Sequence, residues 1–348
     1  MIKKKIQKLR ELIKFHNLDG YIIPKNDAYF SEFSRPDRLK TISNFTGSAG
    51  FAIVLKKENF LFVDGRYTIQ AKIQSGKFFK IIEIPKFWPK DVLKKYNKKL
   101  ILGFDPQLFT SNILKKHFNN CCNPSLIKDN FIDLIKKEKT INSVNLFYNL
   151  NNKITGESVS SKINRLIKKI KSKNIDNIFI SAPENVAWLL NLRGKDNPFS
   201  PLPNCKIILT KNKNIFFFSC PKKIKKIKKI KTYKNFKYYG YKEFSKIISK
   251  LNGKNFCIDD ATCSFANESI IKSFFNITSL TDPCYMMKSV KNPIEIKNMI
   301  KAHIEDGFAL TKFIFWIKNT NKKKVTEIDA QNKLEKFRKL NKNYLFPS

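Results

Sequence analysis

The sequence predicts an α/β protein: two similar modules of strands flanked by helices, followed by a pair of longer helices. Three observations predict it. Apolar, β-favouring runs alternate with segments of helical spacing from the N-terminus onward. After an asparagine-rich stretch at 141–158, the order helix, strand, helix, hairpin begins again. From Asn292 the chain carries helix-start signatures and a sustained helical apolar pattern.

In the first module, Ile6, Leu9, Leu12 and Ile13 fall at helical spacing and predict an opening helix that ends near Asn17–Gly20, with Gly20 as a cap. Tyr21–Pro24 reads as a short strand closed by proline. Phe51–Leu55 and Phe60–Val63 flank the polar turn Lys56–Asn59 and predict a hairpin. Asp64 ends its second strand, and Thr68–Ser75 suits a helix with Asp64 or a neighbour near its N-cap and Gly76 at its end. Arg66 therefore sits at a strand-to-helix junction, a common place for functional side chains. It is the first candidate site residue; the plain alternative is an arginine that pairs with a carboxylate. Leu100–Phe104 is a further strand and Ser111–His117 a short helix, so the module closes near residue 140.

Residues 141–158, with Asn142, Asn145, Asn149, Asn151 and Asn152, read as a linker into a second module at 141–283. There the spacing predicts a helix over 160–173, a strand over 178–180, a proline-led helix over 183–192 closed by Arg193–Gly194, and a hairpin from 205–210 to 215–218. The repeated grammar suggests duplication. Lys222–Lys231 carries an isoleucine every third residue and predicts a basic surface helix; the aromatics that follow also fit a single-stranded nucleic-acid site. Asp259 and Asp260 are adjacent, so on a strand they point apart, and a turn or cap role is expected rather than shared metal binding. Asn292, Pro293 and Glu295 form a capping-box start to a third region, 284–348, with a second helix from Thr326.

The 348 residues allow two or three domains and a sizeable core, and a hydrophobic content of 42% argues against disorder. The net charge of +40 is mostly lysine, spread end to end together with asparagine, isoleucine and phenylalanine. An AT-rich coding sequence produces that joint bias, whereas a polyanion site is concentrated and richer in arginine, so nucleic acid is not the expected partner. Seven cysteines without a Cys-x-x-Cys fit reduced thiols rather than a disulfide framework or zinc knuckle. No apolar run approaches membrane-spanning length and no secretory h-region follows the basic N-terminus, so a soluble cytoplasmic protein without a membrane partner is expected.

Thr46-Gly47-Ser48-Ala49-Gly50 followed by Asp64-Gly65-Arg66-Tyr67 and Gln70-Ala71 resembles the N-terminal domain of cytosolic-type Xaa-Pro aminopeptidases, the aminopeptidase P family. Ser31-Glu32 and Arg35 upstream fit the same pattern; Asn44 departs from it, standing where the family usually has glycine. Trp188-Leu189-Leu190-Asn191-Leu192-Arg193-Gly194 with Asp196 resembles the family's second domain. Lys288–Ile296, Ala302–Gly307 and Thr326–Arg338 resemble the opening helices of its pita-bread metallopeptidase domain.

The resemblance implies two tandem creatinase-type, ribonuclease H-like domains with mixed sheets, then the start of the catalytic domain. It implies that Arg66 contributes to binding a proline-containing peptide, and that the full-length protein is a homodimer using two divalent ions, manganese by expectation. Metal ligands in the family are two aspartates, a histidine and two glutamates lying beyond a Phe-Pro-Thr/Ser run, which here is Phe346-Pro347-Ser348 at the chain end. His16, His117 and His303 match none of those positions, and His303 is not expected to be a ligand. The expectation is therefore the front part of such an enzyme, with no catalytic or metal residue of its own and no activity alone, because peptide hydrolysis here needs metals to generate hydroxide. Alternatives are a non-catalytic peptidase-like binding module for protein or nucleic acid, and a prolidase or creatinase relative.

Overall fold

The computed structural model describes residues 2–33, 36–118, 120–136 and 145–347. Arg35, Asn142, Ser348 and the expected boundary at 140/141 lie outside them.

The opening helix α1 (Ile2–Phe15) buries Ile2, Ile6, Leu9 and Ile13 along one face. The chain then turns at Asn17, in the left-handed region with φ 54°. Gly20 is therefore not the cap; it begins the buried strand β1 (Gly20–Pro24). There a Cβ would lie 2.5 Å from the Leu55 side chain. Helix α2 (Arg38–Ser43) leads to the hairpin β2 (Phe51–Leu55) and β3 (Asn59–Asp64). Helix α3 (Thr68–Ser75), β4 (Lys80–Ile84), α4 (Pro89–Leu93), β5 (Leu100–Phe104), α5 (Ser111–His117), β6 (Cys122–Leu126) and α6 (Phe131–Ile135) complete the module. Its six-stranded sheet has the order β4-β3-β2-β1-β5-β6. The hairpin is antiparallel to itself and to β1, and the outer strands run parallel to their neighbours.

Side-chain alternation explains why helices cover both faces. Tyr21, Ile23, Ala52, Val54, Leu61 and Val63 pack into one cluster with α1. Ile22, Ile53, Leu55, Phe60 and Phe62 pack into the other, with Leu114 of α5. This is the period of two expected for a sheet buried on both sides.

The described part of the expected linker is structured. β7 (Tyr148–Asn149) and α7 (Asn152–Thr155) precede α8 (Val159–Lys171), and Phe147 is fully buried. After β8 (Asn177–Ile180), helix α9 runs only from Pro183 to Leu189. Asn191 takes φ 50° and turns the chain into β9 (Leu192–Arg193), which pairs with β7. Gly194 is thus not the helix cap; a Cβ there would meet the Pro203 backbone at 2.7 Å. Strands β10 (Lys206–Thr210), β11 (Ile215–Phe218) and β12 (Lys237–Tyr239), helix α10 (Phe244–Ile248), β13 (Asn255–Ile258), α11 (Phe265–Lys272), β14 (Asn276–Ser279) and α12 (Pro283–Ser289) follow.

The second sheet runs β12-β11-β10-β8-β13-β14 with the same sequence of parallel and antiparallel pairings as the first. The duplication suggested by the sequence is thereby visible as topology.

The basic run differs from expectation. Lys222–Lys231 is not an α-helix but turns with short 3₁₀ segments at 227–229 and 231–233. An isoleucine every third residue matches three residues per turn, not 3.6. Ile224, Ile227 and Tyr233 are buried in the core of the second module. Tyr238 packs against Phe217 at 5.5 Å. Of the aromatics that follow the run, Tyr233 is buried, Phe236 and Tyr238 are partly buried against the same core, and Tyr241 is exposed.

The third region is a helical hairpin, α13 (Pro293–Lys318) and α14 (Glu327–Arg338). Both begin with capping boxes: Asn292 with Glu295 is the one the sequence predicts, and Thr326 with Asp329 is a second. Ala309 is the one buried residue of α13 among the described residues. Ile300, Ile304, Phe308 and Phe315 are 57–72% exposed.

Candidate functional site

Arg66 lies on a one-turn 3₁₀ segment, Gly65–Tyr67, between β3 and α3. Asp64 shapes this junction. Its carboxylate accepts the Arg66 backbone N–H at 3.0 Å, the guanidinium Nε at 3.1 Å and Nη2 at 2.8 Å. Asp64 thus caps the 3₁₀ turn rather than α3, whose N-cap is Tyr67. The side chain of Arg66 is 73% exposed, and its guanidinium sits 5.3 Å from the centre of the Tyr67 ring. The hydrogen bond from Arg66 holds the Asp64 carboxyl below its ordinary range, and the same pairing pushes the guanidinium up. Nη1 has no hydrogen-bond partner among the described residues. The geometry is that of a pre-set fork: one side is fixed by a local carboxylate, and the other remains open to an anionic or carbonyl group.

The glycine-rich loop supports this junction from the other side. Tyr67 shares a hydrogen bond with Ser48 at 2.9 Å and packs edge-on against Phe45. Thr46 donates its N–H to Gln74 at 2.9 Å, while Gln70 and Gln74 donate to the Thr46 hydroxyl at 2.8 and 2.9 Å. Gly50 takes φ 141°, and a Cβ there would lie 2.7 Å from the Phe62 carbonyl oxygen. Asn44 is the C-cap of α2 at φ 67°. Only glycine and, among side chains, chiefly asparagine adopt this conformation readily.

A cavity of about 380 Å³ opens where the two modules meet, lined by Asp27, Ser31 and Glu32 from the first and by Glu184, Asp196 and Asn197 from the second. Glu32 also lies close enough to Arg66 to act on its charge. Most of these groups already have partners. Asp27 accepts the N–H groups of Tyr29 and Ser31, and burial pushes its carboxyl up. Asp196 pairs with Lys223 and accepts the Asn204 N–H. Glu184 accepts from Tyr285 at 2.8 Å. The Ser31 hydroxyl lies 3.5 Å from the Asn197 amide across the junction.

The junction also holds Lys206, which the sequence analysis did not single out. It begins β10, is 3% exposed and donates to the Ala28 carbonyl at 2.9 Å. Burial pulls its ammonium down to about 8. The available signal was a lysine opening an otherwise apolar strand.

Other candidates resolve as structural. Arg193 donates to the carbonyls of Ala187 and Leu192. Asp259 is buried and accepts the Ala261 and Asp282 N–H groups, while Asp260 is exposed. His303 bonds through Nδ1 to the Met299 carbonyl oxygen, one turn back. Among the described residues no three histidine, cysteine, aspartate or glutamate side chains gather as metal ligands would. The described residues do not fit a dinuclear centre, because such a site needs several oxygen or nitrogen donors converging on each ion.

Residues 5–130 and 138–295 each match the Creatinase/Prolidase N-terminal domain family. The chain is 30% identical to a probable Xaa-Pro aminopeptidase P of Coccidioides posadasii and 28% identical to Xaa-Pro aminopeptidase 1 of Dictyostelium discoideum. It aligns over 97–98% of its own length and 56–57% of theirs. It superposes with a TM-score of 0.88 and 25% identity on the crystal structure of an X-prolyl aminopeptidase from Caenorhabditis elegans, described as a cytosolic enzyme with a di-nuclear active site. That match covers 99% of this chain and 61% of the other.

By sequence and by fold, the chain is a homologue of the Xaa-Pro aminopeptidase P family. It spans little more than half the length of the curated Xaa-Pro aminopeptidases it matches. The tandem creatinase/prolidase-type α/β modules that the resemblance implied are the modules observed.

Proposed function

We propose that the chain is the N-terminal portion of a cytoplasmic, metal-dependent Xaa-Pro aminopeptidase that releases the residue preceding proline from peptides. The division into modules ending near 140 and 283, followed by the start of a pita-bread domain, belongs to the same proposal. Within it, Arg66 binds the peptide. The single observation that carries this reading is the superposition over 99% of the chain, from the first module through α14. Arg66 supplies directed hydrogen bonds to a peptide carbonyl or carboxylate, and Asp64 positions it. An X-Pro bond has no N–H at the proline, so recognition must rest on carbonyl oxygens, charged ends and ring shape.

Among the described residues no cluster of three or more histidine, cysteine, aspartate or glutamate donors gathers for a pair of divalent ions; in this proposal the whole protein uses two divalent ions, manganese by expectation, to generate the nucleophile, and is a homodimer. The bare apolar face of α13 supports this, since exposed patches of that kind mark surfaces that other polypeptide covers. Purified residues 1–348, incubated with manganese and an Arg-Pro-Pro peptide, are expected to release no arginine. In a longer protein that does hydrolyse the peptide, R66A is expected to raise KM strongly. An unchanged KM in that variant overturns the role given to Arg66.

A further inference from the structure

We infer that Cys121 and Cys122 form a two-sulfur site, at the edge of the first sheet, for a soft thiophilic ion of the monovalent copper class. β6 is the last strand in the sheet order, and the pair stands at its start, in the turn after α5. Neighbouring side chains within a strand point to opposite faces. Cys121 precedes the strand, so both thiols instead reach one backbone oxygen: Cys121 Sγ and Cys122 Sγ each donate to the Phe118 carbonyl at 3.4 Å. Cys122 is 1% exposed, while Cys121 is half-buried and offers a way in. Lys99 lies near enough to favour a thiolate at Cys121. The other five cysteines offer no comparable pair: Cys205, Cys257, Cys263 and Cys284 are buried, and Cys220 is exposed.

Three constraints narrow the ligand. Adjacent Cα atoms across a trans peptide are about 3.8 Å apart, below the roughly 4.4–6.8 Å of ordinary disulfides, so the pair is poorly placed to oxidise and remains a dithiol. Structural zinc takes four ligands, and no third or fourth donor gathers here among the described residues. Soft thiolates select monovalent copper, and an ion bridging two sulfurs does not require them to bond to one another. Binding replaces the two S–H protons, which are released to solvent. The resulting anionic bis-thiolate complex is balanced in part by Lys99.

The test uses the whole chain under anaerobic conditions, with copper(I) supplied from a chromophoric chelator. The wild type and C220S are expected to withdraw one equivalent, and C121S and C122A are expected to lose it. Circular dichroism checks that the buried C122A variant folds; C121S, at the half-buried position, keeps the test valid if it does not. Retention of copper by folded C121S, or its loss in C220S, overturns the assignment.

Discussion

The Lys206 ammonium reaches across from the second module to the main-chain carbonyl of Ala28 in the first, at 2.9 Å, while buried to 3% exposure. The same nitrogen lies 5.3 Å from the centre of the Tyr29 ring. Around this contact, Phe265 donates its N–H to the Phe109 carbonyl and Ala266 to that of Pro106, so backbone as well as side chains join the modules.

Burial gives this lysine a folded value near 8 against an ordinary 10.5. Between those limits the unfolded chain holds more protons than the folded one, so stability from this group rises with pH. The cost of the buried charge is fully present below pH 8 and fades as the folded ammonium deprotonates. Replacing Lys206 with Met removes the titration. Urea unfolding from pH 7.5 to 9.5 should show the wild type gaining stability relative to K206M, by on the order of 1–2 kcal/mol. Parallel curves for the two proteins would refute the buried charge.

On the proposed reading, Arg66 binds the peptide and Asp64 positions its guanidinium. Arg66 is exposed, so R66A should leave the melting temperature of residues 1–348 unchanged. In a hydrolytically active longer protein, D64N should weaken peptide binding less than R66A does, because it loosens the guanidinium without removing it. Equal losses in both variants would mean that the carboxylate itself contacts substrate.

Gly50 answers to backbone geometry. At φ 141° with a carbonyl oxygen 2.7 Å from any added Cβ, G50A should destabilise the first module by about 2–3 kcal/mol. Denaturant midpoints of the two proteins measure this, and a near-neutral result would place the loop elsewhere.

The outward face of α13 makes a fourth prediction. Changing Ile304 and Phe308 to lysine should lower binding of a hydrophobic dye and reduce self-association in sedimentation. It should leave unfolding free energy within about 0.5 kcal/mol, because neither residue is packed. A marked loss of stability would show that the face is already covered.

Much of the architecture was legible because alternation and capping are local. Ile22 against Tyr21 and Ile23, and Asn292 with Glu295, declare their roles within a few residues. What escaped depended on partners distant in sequence. Nothing near Gly20 shows that Leu55 crowds it, and nothing near Lys206 shows that the Ala28 carbonyl accepts its hydrogen bond. The lysine run misled because a period of three was read as a loose α-helical stripe, when it fits a tighter coil. Arg66 was named from its motif, and the plain alternative, an arginine that pairs with a carboxylate, is the arrangement observed, with Asp64 two residues away as its partner.

The matching strand orders of the two sheets have a further consequence. The place that Arg66 occupies after β3 in the first copy falls, after β11 in the second, to Cys220 and Pro221, where the lysine-isoleucine coil sets out over the core. The corresponding corner thus carries an exposed arginine clasped by Asp64 in the first module and a roof over the core in the second.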